Sequence, residues 1–552
     1  MGTGARWTRL PSRAPPSQPE RRGVSRRRRS LAGTLSPMTP PATQLLLPDG
    51  LAAAAVADAL AAELPIVTQR ANSIDRTFWD TFDGRLHGAG LTLVAGAGRL
   101  VLADAASSTE QASGPLPRGA TKLLDEDLPE GGLRAALAPL VEMRALTPVA
   151  RVKSRFLPVN VLDEIGKIVV RLRVEEPVAQ LAAKRTEPLP ARLHVTGVLG
   201  YHGEYARVLT QLEALGLSAT RRAVQDDAIR AAGGRPGGTS SKLKVALSPG
   251  DRADVAAVAI ARRLLQVIEE NMPGTLADVD SEFLHDLRVA VRRTRALQRE
   301  LAAVFPPETL RVFRDGFKRL QAITGPTRDL DVQLLEFGEL ASALPDADAG
   351  DVVPLRRLLE QHLDVARTTM VRELRSDATS ALLHNWGAFL DDLVAGGEGS
   401  RPDGARPIAD VAGDRIASVY RRMVKSGTRI DDDSPAEGLH DLRKKGKELR
   451  YLLEFFGSVY EGDVVKPMVV SLKGLQDVLG RFQDREVQAD VLRSLGDDVA
   501  LLEGGAPALM AMGVLVQRLL GDQAAARAQF TERFTAFAAK AQRAIVKETF
   551  AR

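Results

Sequence analysis

The chain has 552 residues, too many for one hydrophobic core, and its 44% hydrophobic and 26% charged content is ordinary for a globular protein in water. It has no cysteine, which excludes disulfides, thiolate metal sites and cysteine nucleophiles and is compatible with a reducing cytoplasm. The formal net charge of +5 misleads as a global property: nine arginines and one glutamate fall in the first 30 residues, so the rest of the chain comes to about −3, and anion binding by the folded part requires local clustering.

Residues 1–42, with Pro, Ser, Gly and the run Arg26-Arg27-Arg28-Arg29, read as a disordered leader. The apolar stretch after those arginines is too short for a signal peptide, Met38 is an alternative start, and no segment is apolar enough for a membrane span. From 43 to 245 the pattern is α+β. A hairpin is expected at 91–94 and 99–102 around Gly96-Ala97-Gly98, with further strands at 148–157, 167–174 and 192–199. Helical patches fall at 51–63, 132–144 and 203–216, and the Gly-rich stretch 232–241 reads as a linker.

Beyond about 250 the period changes to 3.6 and strands disappear. This half contains a repeat. His285-Asp286-Leu287-Arg288 recurs as His440-Asp441-Leu442-Arg443, and the same register relates Arg292 to Lys447, Arg295 to Arg450, Lys318 to Lys473, Gly325 to Gly480 and Asp329 to Asp484. Two copies of one helical unit are therefore expected, at 250–400 and 405–552.

Steps of 3, 7 and 10 residues from His285 keep His285, Arg288, Arg292 and Arg295 within an arc of about 80° on one helix face. The second copy places His440, Arg443, Lys447 and Arg450 in the same way. Ser434, Pro435 and Glu437 suggest an N-cap, a first-turn proline and a capping-box acid for this second helix. Four cations on one face repel each other, and three readings compete: a solvated face, internal pairing with Asp286, Asp441, Asp329 and Asp484, or a polyanion groove. Duplication favours the groove, because both copies keep cationic groups at the same four positions while the neighbour Arg293 becomes Glu448. No nucleophile lies near His285 or His440, so they read as phosphate hydrogen-bond donors, with a structural hydrogen bond at the helix start as the alternative.

The doubled His-x-x-Arg-x-x-x-(Arg/Lys)-x-x-Arg motif resembles the CHAD family, named for conserved histidines in an α-helical domain. The resemblance implies two four-helix bundles related by a pseudo-twofold axis around a basic channel that binds inorganic polyphosphate. By motif position it carries binding roles to the eight stripe residues and to Lys318 and Lys473 as contacts from the next helix. Three segments, 78–83, 146–151 and 240–243, are similar to the CYTH family, a triphosphate tunnel of antiparallel strands that often precedes CHAD. Active members open with Glu-x-Glu-x-Lys, whose glutamates hold a divalent metal; here the stretch reads Ala42-Thr43-Gln44-Leu45-Leu46-Leu47, with neither acid nor lysine. The alternating basic residues Arg151, Lys153 and Arg155, and Arg171 and Arg173, could still face a polar lumen, against the reading of an ordinary sheet with its basic side in water.

The expectation is thus an antiparallel β-tunnel domain, degenerate as an enzyme, followed by an all-α duplicated bundle. Its partner would be polyphosphate, with no catalytic residues, metal or cofactor, and no membrane or sequence-specific nucleic acid. It would sit in the cytoplasm, on polyphosphate granules where these form. The alternative is a metal-dependent triphosphatase in the β domain, for which Asp75, Asp80, Asp83 and Glu175 are scattered candidates without the family's spacing. Nucleic-acid binding by the helical half is disfavoured by the 4% aromatic content.

Overall fold

In a computed structural model the chain is described over residues 42–342, 344, 349–395 and 401–550; the expected leader lies outside the described residues except for Ala42, which opens the first strand. Eleven strands form one antiparallel sheet: β1 (Ala42–Leu46), β2 (Ile66–Thr68), β3 (Asn72–Asp80), β4 (Leu91–Gly96), β5 (Arg99–Asp104), β6 (Glu110–Pro115), β7 (Thr147–Leu162), β8 (Ile168–Gln180), β9 (Thr186–Pro188), β10 (Arg192–Gly197) and β11 (Ser218–Ala219). The main path runs β11-β1-β10-β8-β7-β3-β4-β5-β6. The ladder has two edges, β11 and β6, so the sheet encloses a trough rather than a closed barrel.

The hairpin expected around Gly96–Gly98 is β4–β5, with Gly96 opposite Arg99, and Ala97 and Gly98 in left-handed conformations. On the outer side of the sheet α1 (Ala53–Ala61) and α4 (His202–Ala214) bury Val159, Val161, Leu172 and Val174. Short α2 (Arg85–Gly88) and α3 (Gly132–Val141) cover the β4–β6 end, and α5 (Val224–Ala231) packs on the concave side over Val152 and Phe78.

The linker then threads tightly past the β domain. A Cβ at Gly84 (φ +67°) would lie 2.3 Å from the Gly237 backbone, and Thr239 donates to the Phe82 carbonyl at 2.9 Å. The rest is helical. The first copy comprises α6 (Ala253–Leu276), α7 (Ser281–Glu300), α8 (Pro307–Ile323), α9 (Gly325–Ala341), α10 (Val353–Leu374) and α11 (Asp377–Ala395). The second comprises α12 (Ile408–Gly427), α13 (Ala436–Phe456), α14 (Gly462–Ser494), α15 (Gly496–Ala500), α16 (Gly505–Ala528), α17 (Phe530–Phe537) and α18 (Lys540–Phe550).

One difference between the copies is chemical in origin. Gly325 is followed by Pro326, which lacks an N–H, and the first copy breaks there into α8 and α9. Gly480 is followed by Arg481, and α14 runs through unbroken.

The copies share their apolar cores. One cluster joins residues of α6, α7, α8 and α11 to residues of α12, α13, α14 and α18; a second joins α9 and α10 to α14 and α16. The pseudo-twofold axis passes between Arg252 and Pro407, a bridged pair one repeat apart. Around it Ala253 N donates to Arg406 O at 2.9 Å, and reciprocally Ile408 N donates to Asp251 O at 2.7 Å. The same reciprocity appears in ion pairs between α7 and α13: Arg293–Glu454 at 2.7 Å and Arg299–Glu448 at 3.6 Å.

The β domain docks on the start of α7. The Asp280 carboxylate caps that helix through Glu282 N (2.9 Å) and Phe283 N (3.3 Å), and its other oxygen accepts from Ala145 N at 2.9 Å. Around it Arg144 pairs with Glu282 at 3.3 Å and Phe82 packs on Phe283 at 4.0 Å. The cap expected for the second stripe helix differs: Pro435 is the N-cap residue, and the Ser434 hydroxyl donates to Asp431 at 2.7 Å instead.

Candidate functional site: two basic stripes

Helices α7 and α13 carry the two stripes on the faces left over after Leu284, Leu287, Val291 and their counterparts Leu439, Leu442 and Gly446 are buried. At the start of the first stripe His285 Nδ1 accepts from Arg328 at 3.0 Å. Burial and then the Arg328 charge hold the ring down to about 4, so it is neutral near pH 7 with its proton on Nε2, which remains a donor. At the matching point of the second stripe His440 Nδ1 contacts Gln483 Oε1. Arg328 and Gln483 occupy equivalent positions in the repeat, and sequence reading passed over both because the motif does not include them.

Arg288 is buried, at 8% exposure. Its Nη1 donates to the Gln321 carbonyl at 3.1 Å and to the Thr324 hydroxyl at 3.0 Å. Gln321 lies in the last turn of α8, where carbonyls lack intrahelical partners, so Arg288 caps the helix that Pro326 breaks. Arg443, on the unbroken side, pairs with Asp484 at 2.8 Å instead. Asp329 sits among Arg288, Arg292 and Arg328; burial pushes its carboxyl up, against the pull of those three cations.

Arg295 bonds the Gln321 side chain, and Arg450 pairs with Glu454 at 2.7 Å on the surface. Lys318 and Lys473 are exposed, with no ion-pair partner among the described residues.

At the centre the stripes meet. Arg292 and Lys447 are equivalent in the repeat, and neither has a hydrogen-bond or ion-pair partner among the described residues. The Arg292 Nε is buried without an acceptor. Lys447 is pushed down to about 8 by desolvation of its ammonium, then by Arg443 and by Arg292 from the other copy, although the residue as a whole stays exposed. Two cations without an ion-pair partner are thus held near one another across the pseudo-twofold axis, with Asp329 near the first and Asp484 near the second.

The trough of the β domain is a cavity of about 820 Å³ lined by Gln44, Arg76, Phe78, Arg173, Glu175 and His194, among others. Glu175 is buried and accepts from Arg76, from the Ser154 hydroxyl at 2.7 Å and from His194 at 2.7 Å. Burial alone would raise its carboxyl, but these hydrogen bonds and the Arg76 charge carry it down to about 2. Arg173 stacks over Phe156 at 4.5 Å.

Arg151, Lys153 and Arg155 are elsewhere. Register puts Val152, Ser154 and Phe156 on the concave face, so the three basic residues point outward, where Arg155 pairs with Glu176 at 2.8 Å. The expectation that both basic sets share one lumen therefore gives way: Arg171 and Arg173 are on the Glu175 face, the other three are not. Gln44 stands on the concave face opposite His194, where an acid of the family motif would supply a metal ligand. Of the scattered acids, Asp80 accepts from the N–H groups of Thr81, Leu86 and His87, and Asp83 pairs with Arg85 and Arg144, so both are structural. Among the described residues no group of three or more His, Cys, Asp or Glu is placed to hold a metal ion, and no helix is long and apolar enough to cross a membrane.

Residues 259–493 match the family model of the CHAD domain. Two uncharacterized proteins of Mycobacterium tuberculosis, from strains CDC 1551 and H37Rv, are each 26% identical over 280 residues, 47% of this chain and 51% of the relative. The chain thus spans about half the length of the curated relatives it matches. Among solved structures, the CHAD domain from the plant Ricinus communis aligns at 26% identity and TM-score 0.45, over 53% of this chain and 96% of that one. PptA from Streptomyces chartreusis aligns at 14% identity and TM-score 0.40, over 52% and 100%. The stripes at 285–295 and 440–450 both fall inside the segment that matches the CHAD domain model, which lies in the helical half behind an N-terminal antiparallel β domain.

Proposed function

We propose that the helical half binds inorganic polyphosphate along the two stripes, without catalysis. The observation that carries this reading is the pair Arg292 and Lys447 at the pseudo-twofold axis, neither of which closes an ion pair among the described residues, although Asp329 lies near Arg292 and Asp484 near Lys447. A chain of phosphates supplies evenly spaced oxyanions that can run from one stripe across this pair to the other, taking bidentate bonds from the guanidinium groups. Arg295, Arg443, Arg450, Lys318 and Lys473 extend the track, and His285 Nε2 offers a neutral donor at one end. His440 stands at the corresponding end of the second stripe. Arg288 serves this reading as the residue that ties α7 to α8 more than as a ligand contact. Polyphosphate granules in the cytoplasm are the natural location for such a protein.

In the trough, Arg76, Arg173 and His194 suit an anion, but the one central carboxylate, Glu175, is already engaged by three partners. Binding of a short phosphate chain without turnover is the reading supported there. The test is titration of the full chain with long-chain polyphosphate, triphosphate and single-stranded DNA at several salt concentrations. Long polyphosphate should bind tightest, with affinity falling steeply as salt rises. Equal affinity for triphosphate and the long chain would reject the two-stripe groove.

A further inference from the structure

The pseudo-twofold axis relates a second pair of surfaces, away from the stripes, that have diverged in charge. In the first copy, α6 and α11 flank a cavity of about 800 Å³ whose lining includes Glu269, Asp391, Arg262 and Arg263, with Arg262 paired to Asp391, and the linker residues Lys244, Val245 and Ala246 form one of its walls. That linker has neither helix nor strand hydrogen bonding. Leu243, Val245 and Leu247 pack against the core, while Lys242, Lys244 and Ala246 between them stay exposed. The alternation is that of an extended strap with apolar residues inward and basic residues outward. It is anchored upstream, where the Ser240 and Ser241 carbonyls accept from Arg263 and Arg293. A strap with its apolar residues inward therefore lies over a groove of mixed charge.

The counterpart in the second copy is the groove of about 500 Å³ between α12 and α18. Ala417, Tyr420, Val424 and Val546 form its floor, and Arg421, Lys425, Arg543 and Lys547 its rim. All four rim cations are exposed, and no acid lines the groove. In the repeat register Gln266 has become Arg421 and Glu270 has become Lys425. No strap covers it among the described residues. The chain entering α12 is instead held at the first copy, where Arg401 donates to Leu393 O at 2.8 Å and Asp403 N to Ala303 O at 3.2 Å.

We propose that the α12–α18 groove docks an extended segment of a partner protein, with apolar residues at alternate positions and acidic residues between them. The argument is charge complementarity. The first groove shows that this helix pair accepts an extended strap with alternate apolar residues; its acids and arginines balance, whereas the second groove carries four cations, no acid and, among the described residues, no strap. Four like charges within two turns of two adjacent helices repel one another, and an acidic segment relieves that repulsion while burying Val424.

The test uses the full chain and a fluorescent peptide copying residues 240–247 with both lysines replaced by glutamate, followed by fluorescence polarisation. The parent peptide with its lysines is the control. Saturable binding of the acidic peptide, at least tenfold weaker for the parent peptide and at least tenfold weaker to R421E/K425E, is the expected result. Saturating long-chain polyphosphate, which addresses the stripes, should leave this binding in place. Circular dichroism and thermal melting establish that R421E/K425E folds. Three results would overturn the proposal: no saturable binding, binding that R421E/K425E leaves unchanged, or binding displaced by polyphosphate. A fourth would assign the four cations to a membrane surface instead: vesicles containing anionic lipid bind the wild-type chain but not the variant, while the peptide does not bind.

Discussion

The first copy of the helical unit breaks at Gly325-Pro326 and folds Arg288 into the break; the second runs through at Gly480-Arg481 and leaves Arg443 facing Asp484. The first copy presents a neutral histidine held by Arg328, the second a histidine held by the uncharged Gln483. Where motif positions are identical the environments are not, so the same arginine is a helix cap in one copy and a surface cation in the other. A repeat conserves which residue types stand on a face. It does not conserve what each of them touches.

The largest expected effect tests what the copies still share. Replacing Arg292 and Lys447 together by glutamate should weaken polyphosphate binding by about a hundredfold or more, since each charged contact contributes roughly 1.5–3 kcal/mol. Because Arg292 lies beside Asp329, circular dichroism must show that the variant remains folded. A titration showing under tenfold loss would remove the central pair from the site.

Next is the contrast itself. R288A should lower unfolding free energy by about 2–4 kcal/mol, as buried acceptors at the end of α8 lose their donor. R443A should cost less than about 1 kcal/mol, because its partner Asp484 is exposed. Equal costs in urea denaturation would show that the helix break does not distinguish the copies.

Lys447 gives a pH signature with two opposite signs. Its folded-state value of about 8 lies below the ordinary 10.5. Between those values the unfolded chain holds the proton and the native chain does not, so this group makes stability rise with pH. Phosphate binding requires the protonated amine, so affinity should fall above pH 8 by up to about tenfold per unit. K447R should flatten the affinity profile. A wild-type profile already flat between pH 7 and 9.5 would mean that Lys447 does not contact the ligand. The smallest effect is expected at Arg450, where R450A should change stability by no more than about 0.5 kcal/mol, the value of an exposed pair one helical turn apart.

Much of this architecture was legible in the sequence, because periodicity and a gapless repeat report which faces are buried. The hairpin at Gly96–Gly98, the strands β7, β8 and β10 and the stripe helices follow from that pattern. What escaped it depends on contacts between segments. Alternation on β7 told that Arg151, Lys153 and Arg155 share a face, but only the register with β8 told which face is concave. The α7 cap escaped because Asp280 serves three backbone N–H groups, one of them in the β domain. Arg328 escaped because its contact with His285 spans 43 residues.

Arg293 and Glu448 are equivalent positions with opposite charges, which by sequence alone suggests drift. Their cross-axis partners, Glu454 and Arg299, are equivalent positions with opposite charges too. The first copy thus contributes arginine at both places and the second glutamate at both. An exact duplication would bring like charge against like, so this surface is attractive only between unlike halves. Two first copies would confront arginine with arginine, two second copies glutamate with glutamate. The contact between the two copies follows the logic of a heterodimer, written within one chain.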